Sequence, residues 1–331
     1  MEKERLEIET MNKKIVICDL DHKDVSAEAE VFQHAGYEFE WLRCTTQDEV
    51  IEKCKGAVVL LNQYVRLDKK IFEELPTVKC IVRYGVGYDN VNLKDATDYG
   101  VQVCNVPDYG TREVADQALA HMMAHVRKLT LSNQLVRKGI WDYQKNIPIY
   151  RLSECTVGIV GIGRIGSEFA KRVRALGCKV IAYDIERSNG TRCFPDFVEF
   201  VSFEELLAQS DIISVHCPRD ERTYHMFGKK EFEAMKESAF IINVARGGII
   251  DEDALLYALE NNLIAGAGLD VVEHEPLTAE HPLLRFDNFT ISPHAAWYSE
   301  QAANELKRKA AEEAVRFLKN EAVHYPVNSL K

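Results

Sequence analysis

The amino-acid sequence predicts an α/β protein in which parallel sheets are covered by helices. From residue 14 onward, short runs of β-branched residues alternate with segments of helical periodicity, the pattern of parallel strands joined by helical crossovers. The chain has 331 residues, which at roughly 150 residues per domain suggests two domains. Its hydrophobic content of 46% is sufficient for a core in each domain without disulfides or metal ions.

Two series of predicted strands are separated by one long predicted helix. The strands of the first series are expected at 14–19, 39–42, 57–61, 81–83 and 101–105, with helices at 26–36 and 47–54. A single helix without proline is predicted over 114–139, followed by a polar, irregular segment to about residue 155. The second series comprises strands at 156–160, 180–184, 212–216, 240–244, 267–270 and 289–292, and a final helix at 300–318.

Charge and cysteine usage limit the partners and the compartment. The chain has 41 Lys and Arg against 52 Asp and Glu, a formal net charge of −11. Nucleic acid, which requires a basic patch, and an anionic membrane surface are therefore not expected partners. Nine cysteines without a C-x-x-C pair favour free thiols in a reducing compartment over a disulfide framework or a metal site. With a charged segment at 1–11 and no run of 18 apolar residues, a cytoplasmic protein is predicted.

A glycine-rich turn in the second series predicts a dinucleotide site. Residues 161–166 read Gly-Ile-Gly-Arg-Ile-Gly, and they lie between the strand 156–160 and a helix predicted over 167–176. Such glycines permit a tight turn, close approach of a pyrophosphate and close packing of the helix, whose N-terminus attracts phosphate. Asp184 ends the next strand, where a carboxylate accepts from the ribose hydroxyls of NAD and repels a 2′-phosphate. We therefore expect NAD (NADH) as the cofactor; a glycine turn of structural value alone is the alternative.

Three charged residues follow later strands of the same series, at the ends where open α/β sheets hold their sites. Arg246 follows the strand at 240–244, Glu275 follows the strand at 267–270 after a short polar turn, and His294 follows the strand at 289–292. Each alone could be a loop tether, a solvated turn residue or a structural histidine. Together they are the set that reduction of a carbonyl by a nicotinamide requires: a cation for the substrate, a histidine for the hydroxyl proton, and a carboxylate that favours the protonated histidine.

Taken in order, these motifs resemble those of the D-isomer-specific 2-hydroxyacid dehydrogenases. The motifs are the glycine turn, Asn-Val-Ala-Arg-Gly-Gly at 243–248, Gly-Leu-Asp-Val at 268–271, Glu-Pro at 275–276 and Ser-Pro-His-Ala-Ala-Trp at 292–297. The resemblance covers almost the whole chain after the first dozen residues. Segments 81–90 and 294–302 look most like the C-terminal-binding-protein branch of that family.

The resemblance implies roles for individual residues. Arg246 would bind the substrate carboxylate and carbonyl, His294 would be the acid and base, and Glu275 would pair with His294. Asp270 would contact the nicotinamide carboxamide. The substrate-binding residues implied are Arg83, Gly85, Val86, Gly87, Trp297 and Tyr298, although a core position is the alternative for Trp297. The cofactor-binding residues implied are Gly161, Gly163, Arg164, Ile165, Gly166, Asp184, Cys217, Pro218, Thr223, Val244 and Asp270.

The fold implied by the resemblance has two Rossmann-like domains, one inserted in the other. A flavodoxin-like substrate domain would comprise 12–107 and 297–331, and a dinucleotide-binding domain would comprise 108–296, with 1–11 as a charged extension. In the family, the helix region 114–139 lies at a two-fold interface, so a homodimer is expected. Its apolar stripe suits close packing but could instead face the core of its own domain: Ala115, Ala118, Leu119, Met122, Met123 and Val126.

The activity implied is the NAD-dependent interconversion of a small 2-oxo acid and its D-2-hydroxy acid. One alternative is an NAD(H)-sensing dimeric interaction scaffold like the corepressors of the branch named above, which keep the same three charged residues. A second alternative is a 3-phosphoglycerate dehydrogenase. The segment 62–66, Asn-Gln-Tyr-Val-Arg, offers a single cation where a phosphate would require several.

Overall fold

The chain is divided into two compact units. The computed structural model describes residues 13–185 and 194–330. One unit comprises the chain up to Gly110 and from Ser299 onward, and the other unit is Thr111–Tyr298. The sequence predicts that the chain crosses between the domains at 107/108 and 296/297, whereas the two units divide at 110/111 and 298/299. Trp297 thus lies in the second unit rather than in the substrate domain, because its side chain packs against the core of the second unit.

The elements of the described residues are numbered here in chain order. The strands are β1 Ile15–Ile17, β2 Phe39–Trp41, β3 Val59–Asn62, β4 Cys80–Arg83, β5 Gln102–Cys104, β6 Thr156–Val160, β7 Lys179–Tyr183, β8 Glu199–Phe200, β9 Ile212–Val215, β10 Phe240–Asn243, β11 Gly266–Leu269 and β12 Phe289–Ile291. The α-helices are α1 Ser26–Ala35, α2 Gln47–Lys53, α3 Lys69–Glu74, α4 Leu93–Asp98, α5 Thr111–Val126, α6 Leu129–Arg137, α7 Arg164–Ala175, α8 Phe203–Gln209, α9 Lys229–Ala234, α10 Glu252–Glu260 and α11 Glu300–Leu318.

The first unit contains a five-stranded sheet in the order β2-β1-β3-β4-β5. Every pair in it is parallel, and this strand order is the flavodoxin-like one. The central strands β1 and β3 are buried throughout, which explains why they read as continuous apolar runs. The predicted class of this domain is thereby confirmed.

The second unit contains a seven-stranded parallel sheet in the order β12-β11-β10-β9-β6-β7-β8. The first strand that the chain forms in this sheet is β6, and β7 and β8 are added on one side of it. The chain then crosses to the other side, where β9 lies beside β6. The strand order therefore reverses between β6 and β9, and a ligand of an open α/β sheet binds at such a reversal. The predicted two-domain parallel α/β class is confirmed.

Side-chain caps fix the starts of many helices. A side-chain oxygen accepts from a backbone N–H of the first turn at the N-caps Thr46, Asp68, Asn92, Ser202, Asp251 and Ser299. Each such bond contributes on the order of 1 kcal/mol to the helix. Helix α7 begins three residues earlier than predicted, at Arg164, with Gly163 as its N-cap.

The single helix predicted over 114–139 is wrong, since this region forms two helices. Lys128, between α5 and α6, has a φ of 48°, which interrupts the helical path. Helix α5 buries Ala115, Ala118 and Met122 in the core of its own unit, whereas α6 buries none of its residues. The apolar stripe expected at a dimer interface therefore lies in the core of its own unit.

Three further properties of the described residues concern the cysteines, the helices and metal binding. All eight described cysteines are buried free thiols, and burial raises the pKa of several of them, including Cys217 to about 12. Among the helices that the structure describes, none is both long enough and apolar enough to cross a membrane. The described part of the chain also has no group of three or more His, Cys, Asp or Glu side chains arranged to hold a metal ion.

Candidate active site

The glycine turn between β6 and α7 is shaped by its neighbours at two of its three glycines. Gly161 has a φ of +88°, and a Cβ there would lie 2.6 Å from the backbone nitrogen of Cys217. A Cβ at Gly166 would overlap the carbonyl oxygen of Gly161. Packing within the protein thus requires both residues to be glycine.

Gly163 differs, because a Cβ there would meet no described protein atom within 4 Å. Gly163 is the N-cap of α7, and the first bond of that helix runs from the Ser167 N–H to the Gly163 carbonyl. The N–H groups of the first turn have no acceptor within the helix and carry the positive end of its dipole. Packing within the described protein therefore does not explain a glycine at this position.

Asp184 supports this turn from the end of β7. Its Oδ2 accepts the Ile162 N–H at 2.9 Å, which ties the predicted ribose-binding carboxylate to the predicted phosphate-binding loop. Arg187 and Arg192, which could have met a 2′-phosphate, lie outside the described residues.

A cavity of about 170 Å³ lies at the reversal of strand order between β6 and β9. Six predicted cofactor residues line it: Gly161, Gly163, Asp184, Cys217, Pro218 and Thr223. Sequence reasoning missed six further lining residues, which are Tyr183, Ile185, His216, Asp220, Arg222 and Met226, as well as the lining role of Val160. Most of these come from the 216–226 loop, whose conformation leaves no periodic signal in a sequence.

The other predicted cofactor residues lie elsewhere. Arg164 and Ile165 are in the first turn of α7, and Gly166 packs beneath Gly161. Val244 is a core residue with 6% of its surface exposed. Among the lining residues, Thr223 bonds internally, since its hydroxyl donates to the Pro218 carbonyl at 2.7 Å and accepts the Asp220 N–H at 2.8 Å.

Two glycine variants separate packing from cofactor contact. We expect Gly163→Ala to lower the melting temperature only by the small cost of alanine at an N-cap, and to weaken NADH binding by about 10- to 100-fold, the equivalent of ~1–3 kcal/mol for a methyl group forced into occupied space. Gly161→Ala should instead lower the melting temperature, because it strains the backbone and meets Cys217. Calorimetric titration with NADH and thermal melts measure both effects; unaltered NADH affinity in Gly163→Ala would contradict a phosphate at this position.

Arg246 lies in a turn that is held by a buried asparagine at the end of β10. The Asn243 side chain accepts the Ala245 N–H at 3.0 Å and donates to the Arg246 carbonyl at 2.9 Å. Arg246 donates from Nη1 to the Ala245 carbonyl at 2.8 Å, and a Cβ at Gly247 would overlap the Val272 carbonyl. These bonds and the close packing at Gly247 hold the turn from which the Arg246 side chain extends.

Asp270, at the end of β11, is almost fully buried and bonds to the loop that carries His294. Its Oδ1 accepts from the Ser292 hydroxyl at 2.6 Å and from the Ala295 N–H at 3.0 Å, and its Oδ2 accepts the Ala296 N–H at 2.9 Å. The Asp270 carbonyl accepts the His294 N–H at 2.8 Å. The described contacts of Asp270 thus position His294, a function that the expected contact with nicotinamide did not include.

His294 and Glu275 form the predicted pair. Nδ1 of His294 lies 2.7 Å from Oε2 of Glu275, and both side chains are nearly two-fifths exposed. Burial opposes ionisation of Glu275, but the bond to His294, the Val272 N–H at 3.2 Å and the charge of Arg246 together lower the pKa of this carboxyl. The charges of His294 and Arg246 thus both act on Glu275.

The predicted carboxylate-binding residues of the first unit also lie together. Gly85 has a φ of +126°, and the Arg83 guanidinium occupies the space that a Cβ at Gly85 would need. The carbonyls of Gly85 and Val86 accept from the Val106 N–H at 3.0 Å and from Asn105 Nδ2 at 2.7 Å. Because these bonds use carbonyl groups, the turn is suited to donate its N–H groups, including that of Gly87, to a ligand.

The two aromatic residues predicted for the substrate pocket differ in burial. Trp297 is partly buried against the core of the second unit, which is the alternative that the sequence left open. Tyr298 is 52% exposed and meets Trp297 edge-on, with ring centroids 5.4 Å apart.

Comparison with known proteins gives a consistent set of matches. The NAD binding domain of the D-isomer specific 2-hydroxyacid dehydrogenases matches residues 119–296. The chain is 37% identical over 281 residues to a glyoxylate reductase of Korarchaeum cryptofilum, and the match covers 82% of each protein. It is 36% identical over 306 residues to a D-3-phosphoglycerate dehydrogenase of Archaeoglobus fulgidus, which covers 92% of this chain and 58% of that protein. Its structure resembles that of a D-lactate dehydrogenase from Aquifex aeolicus complexed with NAD and lactic acid, with a TM-score of 0.85, 26% identity and coverage of 96% and 100%.

Proposed function

Because the chain belongs to the D-isomer specific 2-hydroxyacid dehydrogenase family, we propose that His294, Glu275 and Arg246 carry its reaction on a small, unphosphorylated 2-oxo acid. The protein is an NAD-dependent enzyme that interconverts a 2-oxo acid and a 2-hydroxy acid. The assignment of these residues rests on the 2.7 Å contact of His294 with Glu275. The charge of Arg246 also helps to lower the pKa of the Glu275 carboxyl.

The glycine turn and its cavity fit the cofactor. Gly163 leaves open space at the N-terminus of α7, and Asp184 lies at the end of β7 to accept from ribose hydroxyls. NADH, when bound, supplies the hydride for reduction of the ketone. Asp184 would repel the 2′-phosphate of NADPH, so we expect a preference for NADH.

His294 transfers the proton. Its Nδ1 bonds to Glu275, so Nε2 is the atom that gives a proton to the substrate oxygen in reduction and takes it back in oxidation. The Glu275 carboxylate stabilises the imidazolium and fixes the ring orientation. The bond from the His294 N–H to the Asp270 carbonyl holds the backbone in place during this transfer.

Arg246 binds and polarises the substrate. A guanidinium offers several N–H donors in one plane, which suits a carboxylate beside a carbonyl oxygen. As negative charge grows on that oxygen during reduction, a fixed cation stabilises it without reorganisation. The bonds of Asn243 and the close packing at Gly247 support the turn that carries Arg246. The substrate-binding roles of Arg83, Gly85, Val86, Gly87, Trp297 and Tyr298 stay predictions.

The loop after β3 supports an unphosphorylated substrate. Arg66 is its only cation among residues 62–66, its side chain is 81% exposed, and its Nε lies 3.9 Å from Asp68. Tyr64 donates its hydroxyl to Asp21 at 3.0 Å. Asp19 is buried and accepts from Asn62 and from the Gln63 N–H. The loop itself therefore offers one exposed cation, beside the charge of Arg83 that acts on Tyr64, and not the cluster of cations that a phosphate dianion favours.

A matched pair of substrates tests this proposal. NADH oxidation is measured with hydroxypyruvate and with 3-phosphohydroxypyruvate, which differ by one phosphate, and with glyoxylate and pyruvate. We expect turnover of the unphosphorylated acids, with kcat/KM for hydroxypyruvate at least about tenfold above that for its phosphorylated counterpart, or about 1.4 kcal/mol. A preference for the phosphorylated acid would overturn the proposed substrate class, and absence of all turnover would overturn the proposed function.

We also propose a homodimer formed through residues 129–150. Eight of the seventeen exposed large apolar side chains among the described residues lie in this stretch: Leu129, Val136, Ile140, Trp141, Tyr143, Ile147, Ile149 and Tyr150. Trp141 is 89% exposed and Tyr143 is 76% exposed. A concentration of exposed apolar surface of this kind marks a protein–protein interface, and family resemblance favours a second copy as the partner.

Replacing the most exposed aromatic of that segment tests the dimer. We expect Trp141→Glu to convert a dimer into a monomer at micromolar concentration, because a charge at the centre of an apolar interface is left without a partner. Tyr224→Glu, which is at a 55% exposed aromatic outside the segment, is the control. Sedimentation equilibrium measures the mass; a wild-type monomer, or a variant that stays dimeric, would contradict the proposal.

The buried thiols support a reducing compartment, and we propose the cytoplasm. None of the eight described cysteines forms a disulfide. Free cysteines persist in reducing compartments and become oxidised outside them.

A further inference from the structure

Two buried histidines on α5 take no part in the proposed reaction. His121 and His125 are 6% and 5% exposed, and both face the strands β11 and β12. A buried imidazole destabilises a fold unless its nitrogens are hydrogen-bonded. Apolar residues would fill the same space without this desolvation cost. The hydrogen bonds of the two histidines therefore indicate the function of each residue.

His121 bridges two hydroxyls on the strand and loop that lead to His294. Its Nδ1 lies 2.8 Å from Thr290 Oγ1, and its Nε2 lies 3.0 Å from Ser292 Oγ. Gly268 in β11 makes room for the ring, since a Cβ there would lie 3.0 Å from both Cβ and Nδ1 of His121. A glycine inside a strand weakens it unless another group approaches closely. Here the close group is His121.

The direction of the hydrogen bonds follows from Asp270. Both of its carboxylate oxygens accept backbone N–H groups, so the Ser292 hydroxyl donates to Asp270 at 2.6 Å. The Ser292 oxygen then accepts from His121 Nε2 and from Gln117 Nε2, each at 3.0 Å. With its proton on Nε2, a neutral His121 accepts from the Thr290 hydroxyl at Nδ1.

Burial favours the neutral form of both histidines. Burial lowers the pKa of His121 although the charge of Asp270 opposes this shift. Burial also lowers the pKa of His125, to about 4. Within this network His125 contacts only Thr290, with its Nε2 3.0 Å from Oγ1. It is therefore one hydrogen bond farther from Asp270 than His121 is.

We propose that His121 is a positioning residue for His294, acting through Ser292 and Asp270. His121 and Gln117 orient the Ser292 hydroxyl toward Asp270. The Asp270 carboxylate then holds the Ala295 and Ala296 N–H groups, and its carbonyl holds the His294 N–H. Helix α5 thereby fixes the geometry of the His294–Glu275 pair. The inference rests on the proposed role of His294.

Two amides of equal polarity distinguish positioning from packing. His121→Gln places an amide nitrogen near the site of Nε2 and keeps the bond to Ser292, whereas His121→Asn reaches only the site of Nδ1 and Thr290. His121→Leu removes both bonds. His125→Leu, one helical turn later, is the control for loss of a buried histidine that does not reach Ser292.

We expect His121→Leu and His121→Asn to lower kcat by about 10- to 100-fold, the cost of a slightly misplaced catalytic group. The KM for the 2-oxo acid and the affinity for NADH should change less than about threefold, since neither Arg246 nor the cofactor cavity is touched. His121→Gln and His125→Leu should keep kcat within about threefold of the wild type. A kcat that falls equally in His121→Gln and His121→Asn, or as far in His125→Leu as in His121→Leu, would overturn the inference.

Hydrogen exchange tests the same inference without turnover. The Ala295 and Ala296 amides, which donate to Asp270, should exchange faster in His121→Leu and His121→Asn but not in His121→Gln or His125→Leu. If the wild type reduces no 2-oxo acid, the proposed function fails while this readout still decides the positioning of the loop. Unchanged exchange in all four variants would overturn the inference even in an active enzyme.

Discussion

Replacing His294 by asparagine is expected to lower kcat for reduction of a 2-oxo acid by about 10²- to 10⁴-fold, the usual contribution of a general acid. Asparagine suits this position because His294 has a φ of 51°, which asparagine tolerates better than most residues. Its amide can still donate to Glu275 but has no atom at the site of Nε2. The loss therefore reports the missing proton transfer rather than a disturbed loop.

Steady-state kinetics with NADH and the preferred 2-oxo acid measures this effect. NADH affinity and the melting temperature should match those of the wild type, because the cofactor cavity lies at β6 and β9. A variant that retains kcat within tenfold would show that another group supplies the proton.

Glu275→Gln tests how the charge of Glu275 affects the pH dependence of reduction. The wild-type carboxyl has a lowered pKa, so its attraction to protonated His294 persists until the pH falls through that lowered value. Glutamine keeps the hydrogen-bonding shape but removes the charge, which makes the imidazolium harder to form. The optimum for reduction should shift to lower pH in the variant, and an unchanged profile would contradict the electrostatic role of Glu275.

Arg246→Lys is expected to lower kcat/KM by at least about 10²-fold, and Arg246→Gln by about 10³-fold or more, on the scale of lost transition-state electrostatics. Lysine keeps the charge but lacks the planar set of donors that a carboxylate beside a carbonyl requires. Both kcat and KM should change, because the same guanidinium binds the substrate and stabilises the developing charge.

The comparison of the two variants separates charge from shape. Arg285→Lys, at an exposed arginine that pairs with Glu260, is the matched control and should behave as the wild type. Nearly full activity in Arg246→Lys would reduce the role of Arg246 to a general positive charge. Nearly full activity in Arg246→Gln would remove Arg246 from the site.

The proximity of the three charged residues follows from the sequence, because parallel strands place their carboxyl ends at one edge of a sheet. Arg246, Glu275 and His294 follow β10, β11 and β12, which are neighbours in the second sheet. The glycine spacing likewise predicts the turn after β6, because the backbone there must bend sharply. Each of these features depends on local geometry that repeats from protein to protein.

Other features depend on contacts that no local pattern encodes. The helix break at Lys128 occurs without glycine or proline nearby, so periodicity extends α5 too far. His121 lies on the helix for which the sequence predicts only an apolar stripe. The pairing of β11 with β12 places Thr290 and Ser292 next to its ring. The bonds of Asp270 to Ser292, Ala295 and Ala296 arise in the same way, and the contact with nicotinamide that the resemblance implies stays a prediction.

The stereochemistry of the product, measured together with its rate of formation, tests whether the enzyme is D-specific and whether His294 supplies the proton. Pyruvate is reduced by the wild type with NADH and by His294→Asn under the same conditions, and the lactate formed is separated on a chiral column. We expect D-lactate from the wild type and at least about 10²-fold less product per unit time from the variant. Formation of L-lactate, or equal rates of D-lactate formation by both proteins, would contradict it.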